Sequence, residues 1–379
     1  MSELTEIQIP VSEPYLTGEA KSYVLNCLDS GWISSKGSYV SELEGLFAQR
    51  IGVAHAISVS NGTAALHLAV LAANIGPGDE VIIPDLTFAA TANAVLHCGA
   101  VPILVDVSLQ DWTIDVGLIE AAITDKTKAI IPVHLYGNLA NMTAINELAA
   151  RYQLLVIEDC AESLGALYHG SPTGSLGDLG CFSFFANKLI TTGEGGMVTT
   201  NSSELAQKIR SLRDHGMSVS RRYWHEIAGL NYRMTNLQAA VGVSQMAYFD
   251  QFVEKRRHIE QQYRHYLSKL PGMIFMRVPP QCQSVNWLTS VRVDPALTGG
   301  ISSEDIAMQL RLQGIETRAF FFPLHQQPPY KADDVQFPVS LLLSNQGLSL
   351  PTYYRLTNAQ IEFVCRSIYN LFSVPFTSE

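Results

Sequence analysis

Short apolar runs alternate with helix-like sequence through the first half of this chain, and no other feature of its 379 residues constrains the fold as much. Residues 54–59, 80–84, 100–107, 128–133 and 154–158 read as strands, with helix-patterned sequence between them. Strands separated by helices form a mainly parallel sheet covered on both faces, and ligands bind at the carboxyl ends of its strands. Ahead of the first strand, residues 18–28 and 39–51 are expected to be helices, the second with Val40, Leu43, Phe47 and Ile51 along one face. The Gly- and Ser-rich loop 29–37 between them carries Trp32, which either anchors the loop in its own domain or meets a ligand.

A chain of this length exceeds one ordinary domain. Past the alternating region, residues 202–214 read as a polar-faced helix, and a long helix from Leu237 to about Arg264 leads into different sequence. That sequence holds a strand at 287–293, a helix at 304–312 and an aromatic and proline cluster at 320–330. The expectation is an α/β protein, with a large mainly parallel sheet domain over residues 1–250 and a smaller α+β domain over 251–379.

The net charge of −10, without a run of Lys and Arg, gives no surface for a nucleic-acid backbone. No apolar run reaches the roughly 20 residues that span a bilayer, so no membrane partner is expected. The opening Met1-Ser2-Glu3-Leu4-Thr5-Glu6 is acidic and lacks the basic and apolar regions of a signal peptide, which makes a cytoplasmic location the expectation. The six cysteines are scattered, with neither a Cys-x-x-Cys pair nor a companion His pair, so no metal site is expected.

Three stretches carry chemistry. Lys188 stands where the apolar run from Gly180 to Ala186 gives way to Thr192-Gly193-Glu194-Gly195-Gly196. A buried lysine sheds its proton more easily and becomes a nucleophilic amine, whereas a lysine at a strand end can also lay its stem on apolar surface and keep its ammonium in water. Glu158-Asp159, with Glu162 beyond, closes a buried strand and requires a cation or donors nearby, in a structural ion pair or in a site. Asn61-Gly62-Thr63 opens a helix after the first strand, which is an ordinary turn or an anion site built from free amides.

Many short segments bear on the choice: Glu13-Pro14, Ser30-Gly31-Trp32-Ile33-Ser34, Ser60-Asn61-Gly62-Thr63, Pro84-Asp85-Leu86-Thr87-Phe88, Glu158-Asp159, Ser183-Phe184-Phe185, Asn187-Lys188, Asn231-Tyr232-Arg233-Met234 and Pro323-Leu324-His325. In this order they resemble the sugar aminotransferases of the DegT/DnrJ/StrS family, over nearly the whole chain. Those enzymes use pyridoxal 5′-phosphate (PLP) on the fold type I aminotransferase scaffold. The resemblance implies that Lys188 holds PLP as a Schiff base and acts as the catalytic base, while Asp159 pairs with the pyridine nitrogen. It further implies that Phe88 stacks on the ring, that Gly62, Thr63 and Ser183 hold the phosphate, and that Glu162 lies near the ring hydroxyl. Asn231 would reach the phosphate of a neighbouring subunit, making the protein a homodimer with shared sites.

L-glutamate is the implied amino donor and a nucleotide-linked keto sugar the acceptor. Arg221-Arg222-Tyr223-Trp224-His225 and the segment 229–236 are most similar to the perosamine-forming members, which aminate GDP-4-keto-6-deoxymannose for surface polysaccharide. Trp32, His325 and Tyr330 are the candidates for the sugar pocket. Leu230 and the segment 350–355 depart from the commoner pattern, so a UDP- or dTDP-linked sugar with a C4 or C3 keto group stays open. The family's PLP-dependent dehydratases carry histidine in place of the lysine, and Lys188 argues against them. Residues 61–65 lack the glycine pattern of a dinucleotide-dependent dehydrogenase. A regulatory PLP-binding module would need no intact set of Lys188, Asp159 and Asn231.

Overall fold

A computed structural model describes residues 7–218 and 220–376; the opening hexapeptide behind the cytoplasmic expectation lies outside the described residues. The alternating region folds as helices α1 (Gly18–Ser30) and α2 (Ser38–Ile51), followed by β1 (His55–Val59), α3 (Gly62–Ala72), β2 (Glu80–Pro84), α4 (Ala90–His97) and β3 (Val101–Val105). Next come α5 (Val116–Ala122), β4 (Thr127–Ile130), α6 (Met142–Tyr152) and β5 (Leu155–Asp159). A short hairpin of β6 (Leu167–Tyr168) and β7 (Ser171–Pro172) precedes β8 (Leu179–Ser183), β9 (Gly196–Thr200) and α7 (Ser203–Arg213). The helix after β2 starts at Ala90, leaving residues 87–89 as loop.

Among the described residues the main sheet has seven strands in the order β1-β9-β8-β5-β4-β2-β3. Every pairing from β8 through β5, β4 and β2 to β3 is parallel, whereas β9 runs antiparallel to both β1 and β8. Central strands buried on both faces read as continuous apolar runs, as Val81, Ile82 and Ile83 do in β2. One apolar cluster, including Phe47, Ile82, Phe182 and Met197, covers one face; a second, including Ile57, Leu68, Ile83 and Val198, covers the other.

The single long helix expected over 237–264 is two helices, α8 (Asn236–Met246) and α9 (Phe249–Leu267). At Tyr248 the backbone leaves helical geometry, with φ −106° and ψ 7°. The break lets Tyr248 stack on Phe252 with ring centroids 6.2 Å apart while Phe249 and Phe252 enter the core. Apolar periodicity continues across the break, so the pattern did not reveal it.

Beyond α9 a four-stranded sheet has the order β10-β12-β14-β13, from β10 (Met273–Phe275), β12 (Thr289–Val293), β13 (Arg318–Ala319) and β14 (Gly347–Leu350). Helices α10 (Ser303–Leu312) and α12 (Asn358–Leu371) accompany it, with α11 (Pro338–Gln346) leading into β14. Strand β11 (Cys282–Gln283) crosses back to pair with β6. The later sequence is thereby joined by hydrogen bonds to the β6–β7 hairpin, making a third, three-stranded sheet in the order β11-β6-β7. Among the described residues no helix is long and apolar enough to cross a membrane.

Candidate active site

The carboxyl ends of β1, β2, β5 and β8 open into one cavity of about 540 Å³. Asn61, Gly62 and Thr63 reach it from the turn after β1, Thr87 and Phe88 from the loop after β2, Asp159 and Glu162 from the end of β5, and Ser183 from the end of β8. Lys188 enters from the loop between β8 and β9.

The adjacent acids Glu158 and Asp159 part ways because successive side chains of a strand face opposite sides. Glu158 points away from the cavity and accepts hydrogen bonds from the amides of Gly174, Leu176 and Gly177 and from His134 Nε2. His134 Nδ1 accepts from the Ala140 amide at 3.2 Å. His134, Glu158 and the nearby buried Cys160 could group around a metal, but both histidine nitrogens already have protein partners. Asp159 faces the cavity: its Oδ2 accepts from Thr91 Oγ1 at 2.7 Å and its Oδ1 from the Ala161 amide at 3.1 Å. Burial pushes the Asp159 carboxyl above the ordinary carboxylate range, and these two donors, with the charge of Lys188, pull it back.

Lys188 does not keep its ammonium in bulk water. Its side chain is 13% exposed, with Nζ 3.8 Å from Glu162 Oε1 and 3.9 Å from the centroid of the Trp287 ring. Burial lowers its pKa, opposed by the carboxylates of Glu162 and Asp159. Glu162 in turn is pushed up to about 7 by burial, against the pull of Lys188 and of the Tyr136 amide that donates to its Oε2 at 2.7 Å. Burial thus disfavours the charge on amine and acid alike, which equips the pair to exchange a proton.

At the opposite end of the cavity, Asn61 Oδ1 caps α3 by accepting from the Ala64 amide at 2.8 Å. The amides of Gly62 and Thr63, in the first turn, have no intrahelical acceptor and carry the positive end of the helix dipole. Gly62 is packed so closely on β8 that a Cβ there would lie 2.7 Å from Ser183 Cβ. An anion cradle, a carboxylate and a buried amine around one cavity form the donor set that PLP requires for its phosphate, its ring nitrogen and its aldehyde. The residues present fit that cofactor.

Of the residues expected at the site, the cavity wall includes Gly62, Thr63, Phe88, Asp159, Glu162, Ser183 and Lys188. Four others do not line it. Trp32 is exposed on its loop, where its carbonyl accepts from Asn236 Nδ2 at 2.7 Å. Asn231 is exposed and its Oδ1 accepts from Arg233 Nε at 3.0 Å. Tyr330 donates to Asn93 Oδ1 at 2.5 Å and packs on the second apolar cluster. His325 is wholly buried against Asp85, because a buried carboxylate takes up the nearest donors.

Trp287, Arg318 and Phe321 line the cavity from the later part of the chain, and the sequence analysis placed none of them there. Trp287 Nε1 donates to the carbonyl of Asn187, beside Lys188, at 2.9 Å. Behind the lining, the Tyr136 ring stacks between Trp287 and Phe321, and Phe321 meets Phe88 at a tilt of 54°, so these three lining aromatics are joined in one row. The only earlier hint was aromatic content in the strand near 287 and in the cluster at 320–330. Thr91, which tethers Asp159, gave no signal beyond its place near a helix start.

Comparison with known proteins agrees with this geometry. The model of the DegT/DnrJ/EryC1/StrS aminotransferase family matches residues 14–369. The chain is 46% identical over 372 residues to the GDP-perosamine synthase of Caulobacter vibrioides, covering 97% of this chain and 99% of the relative. It is 44% identical to the GDP-perosamine synthase of Escherichia coli O157:H7, covering 96% and 99% respectively. Among solved structures, DesV of S. venezuelae superposes with a TM-score of 0.89 at 33% identity, over 97% of this chain and 100% of that one.

Proposed function

Because this chain belongs to the DegT/DnrJ/EryC1/StrS aminotransferase family, we propose that it moves the amino group of L-glutamate to the C4 keto carbon of GDP-4-keto-6-deoxymannose, forming GDP-perosamine. It is a PLP-dependent transaminase. The observation that carries the substrate reading is the 46% identity with a GDP-perosamine synthase across 97% of the chain.

Bound in the cavity, PLP supplies an electron sink for the negative charge that develops at the donor α-carbon. The protein's own groups do the rest. Gly62, Thr63 and Ser183 would hold the phosphate, and Asp159, whose charged form accepts from Thr91 and the Ala161 amide, would hold the protonated ring nitrogen. Lys188, whose neutral amine burial favours, would hold the cofactor through Nζ when no substrate is bound, would take the α-proton of the donor, and would later return a proton to C4 of the sugar. Glu162, at 3.8 Å, accepts or lends the proton that sets the charge of Lys188 between these steps. The aromatic wall excludes water from the reacting atoms.

The active assembly in this reading is a homodimer located in the cytoplasm. Asn231, exposed and away from its own chain's cavity, is free to enter that of a second copy. Sedimentation of the purified chain reads the dimer, and a monomer that turns over would remove that part. For the reaction, GDP-4-keto-6-deoxymannose and L-glutamate are incubated with the PLP-loaded protein and the product is identified by mass and NMR. GDP-perosamine is expected from wild type, with no turnover from Lys188→Ala. A C3-aminated or unreacted sugar would overturn the substrate assignment.

A further inference from the structure

Asp85 and His325 are wholly buried partners at this end of the sheet, and neither residue lines the cavity. The His325 backbone amide donates to Asp85 Oδ1 at 2.8 Å and its ring Nδ1 to Oδ2 at 2.7 Å, so one residue satisfies both carboxylate oxygens. Leu324 adds a third link, its amide donating to the Asp85 carbonyl at 2.9 Å. Phe337 stacks on the imidazole at 4.6 Å, and Asp334 Oδ1 lies 3.2 Å from Nε2, which itself makes no hydrogen bond, so the ring is held through Nδ1 and its stacked face.

The two segments joined here are 240 residues apart in sequence, and each carries one side of the cavity mouth. Asp85 begins the loop that presents Phe88, which is 60% exposed. His325 ends the segment that presents Phe321, whose ring lies 5.8 Å from that of Phe88. Lys188 and Asp159 lie deeper, held by contacts that do not involve Asp85 or His325. A disturbance of the pair therefore reaches the mouth before it reaches the proton-transfer groups.

We propose that His325 is a positioning residue for the sugar half-reaction: bound to Asp85, it fixes the spacing of Phe88 and Phe321, and so the opening that the nucleotide-linked sugar must fill. It touches no substrate. The inference rests on the reading of this cavity as a nucleotide-sugar aminotransferase site. The sugar nucleotide is the larger substrate and depends most on the mouth, whereas L-glutamate and the cofactor depend on the deeper groups.

The test compares His325→Leu, which fills the space without a ring donor, with His325→Asn, whose side-chain N–H replaces Nδ1–H. In the PLP-loaded enzyme, His325→Leu is expected to lose about 10- to 100-fold in kcat/KM for the sugar, while the glutamate half-reaction and PLP uptake stay within about twofold. His325→Asn should recover most of that loss. Amide deuterium uptake should rise together in residues 85–91 and 318–325 in the Leu variant and stay near wild type in the Asn variant. Should His325→Leu fail to fold, Asp85→Asn carries the same comparison. Equal loss in both half-reactions, or no rescue by Asn in a folded protein, would overturn the proposal. A wild-type enzyme that rejects GDP-linked keto sugars sinks the substrate reading alone, because coupled exchange and its rescue by Asn report on the pair whatever sugar is used.

Discussion

Replacing Thr91 by Val keeps the shape of a fully buried side chain and removes the hydroxyl that Asp159 Oδ2 accepts from at 2.7 Å. A hydrogen bond to a charged acceptor contributes about 1.5–3 kcal/mol, and about 1.4 kcal/mol corresponds to one pKa unit, so the Asp159 pKa should rise by about one to two units. The direction adds to the rise that burial already imposes. PLP binding requires the ionised carboxylate opposite its ring nitrogen. At pH values where Asp159 is ionised in both proteins, the lost bond is missing from free and bound states alike, and the affinities should agree. On the acid side, where only wild type is ionised, the variant should bind roughly 10- to 150-fold more weakly. Titrating apoenzyme with PLP by absorbance across the acid limb of the affinity profile should therefore show that limb displaced upward by one to two units in Thr91→Val and restored in Thr91→Ser. A loss of the same size at every pH would mean damaged packing, and an undisplaced limb would refute the role given to Thr91.

Glu162 rises from an ordinary 4.5 to about 7 through burial, so its contribution to apoenzyme stability is intact below about 4.5 and is lost as pH climbs through about 7. Relative to wild type, Glu162→Gln should gain up to about 3 kcal/mol between pH 4.5 and 8 in urea unfolding, and a difference that stays flat counts against the assignment. Gly62→Ala places a methyl 2.7 Å from Ser183 Cβ, which should cost about 1–3 kcal/mol of apoenzyme stability and weaken PLP binding; an unchanged melting temperature would show that the helix start yields freely.

Much of the sheet was legible in the sequence because buried strands must be apolar on both faces, and β2 falls on the expected residues 80–84. Strand direction was not legible: β9 is as apolar as its neighbours, and nothing in its composition says that it runs antiparallel. Lys188 and Asp159 stood out because a charge at the end of an apolar run needs an explanation wherever it occurs. Trp287 and Phe321 did not, since aromatic residues in apolar sequence are ordinary core, and only the folding of the later chain back over the first half brings them to the cavity. His325 was visible as part of a motif, yet the motif could not say that its ring turns inward to Asp85. The side chain of Asn231 meets Arg233 within its own chain, and the role proposed for it in a second copy's cavity is one that a single sequence cannot position.

The residues between β8 and β9 form a loop closed at its base, where Ser183 pairs with Gly196 and the Phe184 amide donates to the Gly195 carbonyl at 2.8 Å. Lys188 stands at the far side of that loop, so the sheet's integrity does not depend on which side chain occupies position 188. The scaffold works as a socket: the reagent mounted in it can be exchanged through a single codon, and a change of chemistry need not be a change of architecture.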